Sequence, residues 1–432
     1  MGKSIHSGKQ SRRNFFKSGA AAAAGALAGF SVLRNTYGQN LDPIRVGLIG
    51  CGGRGTGAAE NCLKAAPNVQ LIAMADLFED MLEKSRENLS SPDREGGRLE
   101  GFKVRKDYCF VGWNAFRQLL QTEVDLVILA TPPHFRSEHF EAAVEAGKHV
   151  FAEKPVAVDP VGIRRFIKAG ELSRQKGLAM GAGTQRRHDP GYLEHVNKIQ
   201  DGRIGEILAA RCFWNQGYLW KRDRQPGWSD MEFQIRNWNY FDWVSGDHIV
   251  EQHVHNLDVI NWVLGAHPLK AYGVGGRQQR TQEVYGNIYD HFAIDYEYEN
   301  GLHLISMCRQ QENTDHLIGE YFTGSLGTAE SHADNRFMIR GRNLWRYDGK
   351  PVDAWQQEHI DLIASIRKGE PYNEAQNVAE STLTAIMGRQ AAYTGNTVTW
   401  EEMMASEIDL SPAKYEFGPL PVRPVPIPGK RD

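Results

Sequence analysis

Disulfides do not organise this chain. Its five cysteines (Cys51, Cys62, Cys109, Cys212 and Cys308) in 432 residues form no paired framework. Long apolar runs are missing as well: the Ala/Gly-rich stretch Gly19–Phe30 falls short of the ~20 residues needed to cross ~30 Å of hydrocarbon. Acidic residues are absent from positions 1–38, which carry six basic groups (Lys3, Lys9, Arg12, Arg13, Lys17 and Arg34). Without those six, 44 basic groups face 53 acidic ones, and the formal net charge drops from −3 to −9. A body of that charge is unsuited to gripping nucleic acid or an anionic membrane. The remainder is ordinary for a folded protein: 41% hydrophobic, 24% charged and 10% aromatic. That excludes a disordered or collagen-like chain and, at this length, predicts two or three domains.

Residues 1–38 read as an export address. Ser11-Arg12-Arg13-Asn14-Phe15-Phe16-Lys17, followed by the short apolar stretch, resembles a twin-arginine signal. It implies passage of the folded protein through the twin-arginine translocase to the periplasm, with no membrane contact beyond the signal. Thr36-Tyr37-Gly38 offers small residues for cleavage without a clean A-x-A. The alternative is a basic arm ahead of a buried Ala-rich helix.

The chain then turns to an alternation of strands and helices. Ile44–Ile49 predicts a strand, and Gly50-Cys51-Gly52-Gly53-Arg54-Gly55 leads from it into a helical pattern reaching Leu63. This is G-x-G-x-x-G in its proper setting: glycines for a tight turn, for close approach of backbone to a pyrophosphate, and for helix–strand packing. The helix N-terminus adds free N–H groups for the phosphates. A second strand, Val69–Ala75, ends at Asp76, placed to bond the adenosine ribose hydroxyls and to repel a 2′-phosphate. No arginine follows at once, which favours NAD over NADP; a helix N-cap is the other use for Asp76. After a polar insertion around Ser90–Lys103 come a helical piece Trp113–Gln121, a strand Asp125–Ala130, the turn Thr131-Pro132-Pro133-His134, a helix Phe135–Ala146 and a strand His149–Ala152. Such alternation predicts an α/β fold with a doubly wound parallel sheet over 43–155.

Gly50–Gly55, Asp76, Thr131-Pro132 and above all Ala146-Gly147-Lys148-His149-Val150-Phe151-Ala152-Glu153-Lys154-Pro155 resemble the Gfo/Idh/MocA oxidoreductase family. The likeness extends to about Trp400. It implies a nicotinamide cofactor held by Gly50, Gly52, Gly53, Arg54, Gly55, Asp76, Thr131, Pro132, His134, Glu153 and Lys154. Two positions depart from the family pattern: Pro133, where Asn is commoner, and Arg136, where His is commoner.

The second domain, 156–411, begins with a helix Pro160–Lys176 and a strand Ala179–Gly183. Helix Tyr192–Asp201 follows, and then period-two strands such as Ile207–Phe213 and Ala293–Tyr298. These predict a large, mostly antiparallel open sheet in an α+β domain. Late helices fall at Asp361–Arg367 and Asn377–Tyr393, and a proline-rich tail, 412–432, is expected to lie extended on the surface. By the resemblance, Gly183–Pro190 borders the substrate cleft, making Gln185 and Arg187 substrate candidates. The family's D-x-G-x-H-x-x-D falls on Glu251, His253, His255 and Asp258. Glu251 lengthens the carboxylate arm, and His253 adds a ring that is also a substrate candidate.

Oxidising a secondary alcohol removes a hydride from carbon and a proton from oxygen. A neutral imidazole takes that proton near physiological pH, and a fixed ammonium stabilises the developing alkoxide. His255 as base, Lys154 as the cation and Glu251 orienting the imidazole form the expected set. Zn²⁺ is the other use of this cluster, through His248, Glu251 and His255 on a helical face or Glu251, His253 and His255 in an extended segment; the resemblance accounts for it without metal. Aromatic residues between Phe213 and Trp243 offer stacking faces to a sugar, or core packing. The sequence therefore predicts an exported oxidoreductase acting on a sugar or polyol with a tightly held NAD. The family's paired open sheets imply a homo-oligomer, dimer or tetramer. The alternatives are a redox-neutral glycosidase that oxidises, eliminates, hydrates and reduces, or a non-catalytic nucleotide-bound sensor.

Overall fold

The computed structural model of the chain describes residues 42–91 and 99–430. The export signal expected within 1–38 and part of the polar insertion lie outside the described residues.

Short apolar segments with turn residues at both ends fold as buried strands, and longer segments with one apolar face fold as helices over them. The first layer runs β1 (Ile44–Ile49), α1 (Gly53–Ala65), β2 (Val69–Asp76), α2 (Glu79–Ser90), β3 (Cys109–Val111), α3 (Ala115–Leu120), β4 (Leu126–Leu129), α4 (Pro133–Glu145), β5 (His149–Ala152), α5 (Pro160–Gln175) and β6 (Met180–Ala182). The six strands are parallel in the order β3-β2-β1-β4-β5-β6. The order reverses between β1 and β4, which opens a crevice at their carboxyl ends, the usual ligand position in such sheets. The sheet outlasts residue 155. Asp159 caps α5 by accepting from the Gly162 amide at 2.7 Å, and α5 returns the chain to lay β6 beside β5.

The second layer adds α6 (Pro190–Gln200), β7 (Ile207–Gln216), α7 (Asp230–Arg236), α8 (Asp242–Ser245), α9 (His248–Glu251), α10 (Val254–Leu264), β8 (Lys270–Gly276), β9 (His291–Glu297), β10 (His303–Gln310), β11 (Leu317–Gly324), β12 (Gly327–His332), β13 (Phe337–Arg340), β14 (Trp345–Arg346), α11 (Ala354–Lys368), α12 (Ala375–Thr394), β15 (Val398–Thr399) and α13 (Trp400–Ala405). Nine strands order as β14-β13-β12-β11-β7-β10-β9-β8-β15, antiparallel except where β10 runs parallel to β7. Strand residues alternate between buried and accessible. The inner face packs on α10 and α12, with Leu304, Ile294 and Tyr296 at its centre; Tyr272, Val274 and Met307 stand exposed on the strands.

Among its described residues, 412–430, the tail forms no helix or strand but is firmly held. Leu420 donates its amide to Asp230, Gln234 donates to the Leu420 carbonyl, and Tyr289 donates to that of Pro426. Among the described residues, no helix is long and apolar enough to cross a membrane.

Candidate active site

The crevice at the strand ends of the first sheet continues under α7, α9 and α10 as a cleft of about 1180 Å³. Its floor is the glycine turn between β1 and α1. Gly50 has φ +96°, and a Cβ there would press on the backbone of Ala130 and Thr131. A Cβ on Gly55 would overlap the Gly50 carbonyl oxygen, so α1 packs onto the turn only without one, whereas Gly52 and Gly53 face open space. The first turn of α1 holds no acidic side chain, and its cap residue, Gly52, supplies no side-chain partner. Its leading amides are therefore left for an anion.

Asp76 closes this cradle. Its two oxygens accept from the Cys51 amide at 2.6 Å and the Phe78 amide at 2.9 Å. Burial pushes its carboxyl upward, while those two amides hold it down. It does not cap a helix, because the cap of α2 is Phe78. Each carboxylate oxygen keeps acceptor capacity toward the cleft. Open glycines, unpaired helix amides and an acidic group at the end of β2 fit a dinucleotide.

Gly50, Gly52, Gly53, Arg54, Asp76, Thr131, Pro132, Glu153 and Lys154 all line the cleft. Arg54 ion-pairs with the buried Glu153 at 2.9 Å, tying α1 to the end of β5. Gly55 contributes packing instead of lining. His134 departs from expectation: its Nε2 lies 2.7 Å from the Tyr415 hydroxyl, and the ring is held against the tail, outside the cleft lining. Burial pushes its pKa down to about 4.

At the far end of the cleft stand Lys154, Glu251 and His255. Lys154 Nζ donates to the Glu251 carbonyl at 2.6 Å and to its Oε1 at 3.0 Å. Glu251 therefore does not orient His255. It ends the short helix α9, where its carbonyl and its long side chain both turn toward the ammonium. His255 lies in the first turn of α10 with its ring stacked on Trp214, centroids 5.7 Å apart and planes 20° apart. Burial, then the cations Lys154 and Arg186, push its pKa well below the ordinary histidine value. The imidazole is therefore neutral at physiological pH, the form a general base requires.

The three substrate candidates separate. Gln185 lines the cleft. Arg187 is committed elsewhere: its guanidinium grips Asp258 through Nε at 2.9 Å and Nη2 at 2.9 Å, and Ser381 donates to the same carboxylate. His253 is buried behind the cleft, its Nε2 2.7 Å from Ser306 Oγ and 3.6 Å from Cys212 Sγ. The His/Glu cluster disperses likewise, with His248 on Asp247 at 2.9 Å. No group of three His, Cys, Asp or Glu side chains suited to a metal occurs among the described residues.

Arg136, singled out in the sequence as a departure from the family pattern, lines the cleft, whereas Trp113 and Tyr415 escaped the sequence reading. Arg136, buried in α4, donates to the Pro155 carbonyl at 2.6 Å and so fixes the turn that carries Lys154; the departure from the family's histidine was the available signal. Trp113 and Tyr415 line the cleft from the loop after β3 and from the tail, and nothing local in the sequence pairs them.

A Rossmann cradle joined to a cleft that holds a neutral histidine and a fixed ammonium defines a two-domain, nicotinamide-dependent oxidoreductase. Residues 44–179 match the family model described as "Oxidoreductase family, NAD-binding Rossmann fold", and 192–345 match "GFO/IDH/MocA C-terminal domain". The chain belongs to the Gfo/Idh/MocA family. Inositol 2-dehydrogenase 2 of Saccharopolyspora erythraea is 24% identical over 337 residues, covering 76% of this chain and 86% of that protein. The 2,7-anhydro-N-acetylneuraminate hydratase of Escherichia coli is 28% identical over 178 residues, covering 41% of this chain and only 44% of that protein. Aldose-aldose oxidoreductase from Caulobacter crescentus, solved with glycerol, superposes with a TM-score of 0.65 at 16% identity, over 83% of this chain and 99% of that one; it shares the fold.

Proposed function

We propose that the protein removes hydride from a secondary alcohol of a sugar or polyol, using a tightly held NAD in the periplasm. The observation that carries this reading is the placement of Lys154 and His255 in the same cleft as the Gly50–Arg54 cradle. Bound there, the nicotinamide supplies a reversible acceptor for the hydride. His255, neutral at physiological pH, takes the hydroxyl proton. Lys154 has three N–H donors, two of them occupied by Glu251. The third is free for the substrate oxygen, where the charge stabilises the developing alkoxide. The carboxylate of Asp76 favours NAD over NADP through its ribose contact and its repulsion of a 2′-phosphate.

The Arg12-Arg13 signal beside the Gly50–Gly55 fingerprint supports loading of the cofactor before export, because a periplasm offers no dependable NAD supply. The cofactor is then regenerated within the catalytic cycle, by reduction of a second carbonyl compound. A relative that is a hydratase, catalysing a reaction with no net redox change, favours a second reading in which the oxidised sugar eliminates, hydrates and is reduced again. The exposed strand face carrying Tyr272, Val274 and Met307 supports pairing with a second copy of the chain.

The test is to purify the exported protein, denature it and identify the released nucleotide by mass, then supply sugars, polyols and glycosides to the intact enzyme. Near-stoichiometric NAD(H) with oxidation of an alcohol supports the reading. Empty protein that turns over only with added NAD refutes tight retention. Release of free sugar from a glycoside selects the second reading.

A further inference from the structure

The adenosine end of the cleft is fixed by Asp76, which ends β2. Phe78 lies two residues beyond it, and Trp113 follows β3, the neighbour of β2 in the sheet. The tail passes over this end. It is anchored on one side by the Leu410 amide on Asp159 at 2.9 Å and on the other by the Gly418 carbonyl, which accepts from the Met231 amide at 3.2 Å.

Between those anchors lie two rings, Tyr415 and Phe417. Tyr415 lines the cleft, 38% exposed, with its centroid 5.8 Å from Trp113 and its hydroxyl 2.7 Å from His134 Nε2. Phe417 packs 5.5 Å from Trp113 and stacks on Phe78 at 5.8 Å, while Phe135 backs Tyr415 at 6.0 Å. An aromatic ring held by a hydrogen bond, backed by other rings and left open toward a nucleotide cleft offers a stacking face to a purine.

We propose that the C-terminal tail supplies Tyr415 as one wall of the adenosine subsite and so sets how long the dinucleotide stays bound. This rests on the reading of the cleft as a dinucleotide site. Trp113 and Phe135 hold the wall in place by ring packing, and the hydroxyl bond to His134 adds to a position those rings already set. The tail belongs to the same chain and is pinned to both sheet domains, so the wall is present before the nucleotide arrives and needs no partner.

The experiment uses the full chain. Protein loaded with NADH is diluted into buffer with excess unlabelled NAD, and loss of bound NADH fluorescence gives the release rate; AMP affinity is measured by calorimetry on nucleotide-free protein. Tyr415→Ala is expected to release NADH ~5- to 100-fold faster and to weaken AMP by a similar factor, the span that base–aromatic stacking covers. Tyr415→Phe keeps the ring and should stay within about twofold, since stacking, not the hydroxyl, carries the contact. Release from Tyr415→Ala at the wild-type rate overturns the proposal, as does faster NADH release with AMP affinity unchanged. Should the alanine variant lose its cooperative melt, Tyr415→Leu, apolar but without a π face, repeats the test with the same outcomes. A wild-type chain that takes up neither NADH nor AMP overturns the reading of the cleft along with the proposal.

Discussion

Replacing Lys154 by methionine keeps an unbranched stem in place and removes the ammonium. In the intact protein Nζ sits 3.0 Å from Glu251 Oε1 and 2.6 Å from its carbonyl, with both side chains close to nine-tenths buried. At an effective dielectric of 20 the bare Coulomb attraction at that distance is about 5 kcal/mol, and desolvation offsets most of it. Stranding the Glu251 carboxylate should therefore cost ~1–3 kcal/mol of stability, because the cleft admits water to it. The catalytic loss should be larger in consequence. A fixed positive group beside a developing oxyanion is worth ~3–4 kcal/mol, or ~10²- to 10³-fold in kcat. Single-turnover formation of NADH on a sugar or polyol that the enzyme accepts, measured beside urea melts, separates the two effects. Glu251→Gln provides the contrast: the amide oxygen and the backbone carbonyl still accept from Nζ, so kcat should fall less than ~10-fold. If Lys154→Met folds, binds nucleotide and turns over within about threefold of wild type, the assignment of Lys154 to the alkoxide is wrong.

Other perturbations test the surrounding structure. Burial and the nearby cations depress His255 below its ordinary value, so the acid limb of the alcohol-oxidation profile should fall below pH 6.5; a limb at 6.5 or above contradicts that environment. Arg186 pairs at 2.5 Å with Glu320, which is fully buried and also accepts from Asn256 and Ser331. Arg186→Met leaves that carboxylate uncompensated and should cost ~3–5 kcal/mol, with partial recovery on adding Glu320→Gln, read from urea midpoints. Against the burial that lowers it, Glu374 and Asp361 carry His188 up to about 10. Its folded pKa lies above the unfolded value, so the pair's stabilisation is full below pH 6.5, declines across pH 6.5 to about 10, and is absent above. Thermal melts should show that decline, and His188→Gln should remove it. Gly55→Ala should expel α1 from the glycine turn and abolish NADH binding measured by fluorescence; retained binding would mean that helix and turn separate without loss.

The parts of this protein that the sequence determined are those whose physics is local. The strand Ile44–Ile49, the glycine turn and Asp76 occupy about thirty consecutive residues in which hydrophobic period and the need for missing Cβ atoms dictate conformation. The alternation of short apolar runs with amphipathic segments likewise leaves few arrangements besides a parallel sheet crossed by helices. Most element ends moved by a residue or two, as expected where the last turn frays. The helix expected at Asp361–Arg367, however, starts at Ala354, and the strand expected to end at Phe213 runs to Gln216. The sheet boundary moved further, because whether Met180–Ala182 joins β5 or opens the next domain depends on where α5 returns the chain.

Tertiary structure decided which charges meet. Glu251 has the spacing to serve His255 but bonds Lys154, 97 positions away, because the turn after β5 presents the ammonium at the end of α9. Arg187 reads as a substrate contact beside Gln185, yet Asp258 on α10 lies within reach and a buried guanidinium without its carboxylate would be costly. His134 sits in the first turn of α4, just after β4, where the resemblance expects a cofactor ligand, and its ring is taken by Tyr415, 281 residues on. No periodicity or spacing encodes such pairs. They are fixed by how two sheets and a tail pack, and packing brings together residues whose separation along the chain carries no information about their distance in space.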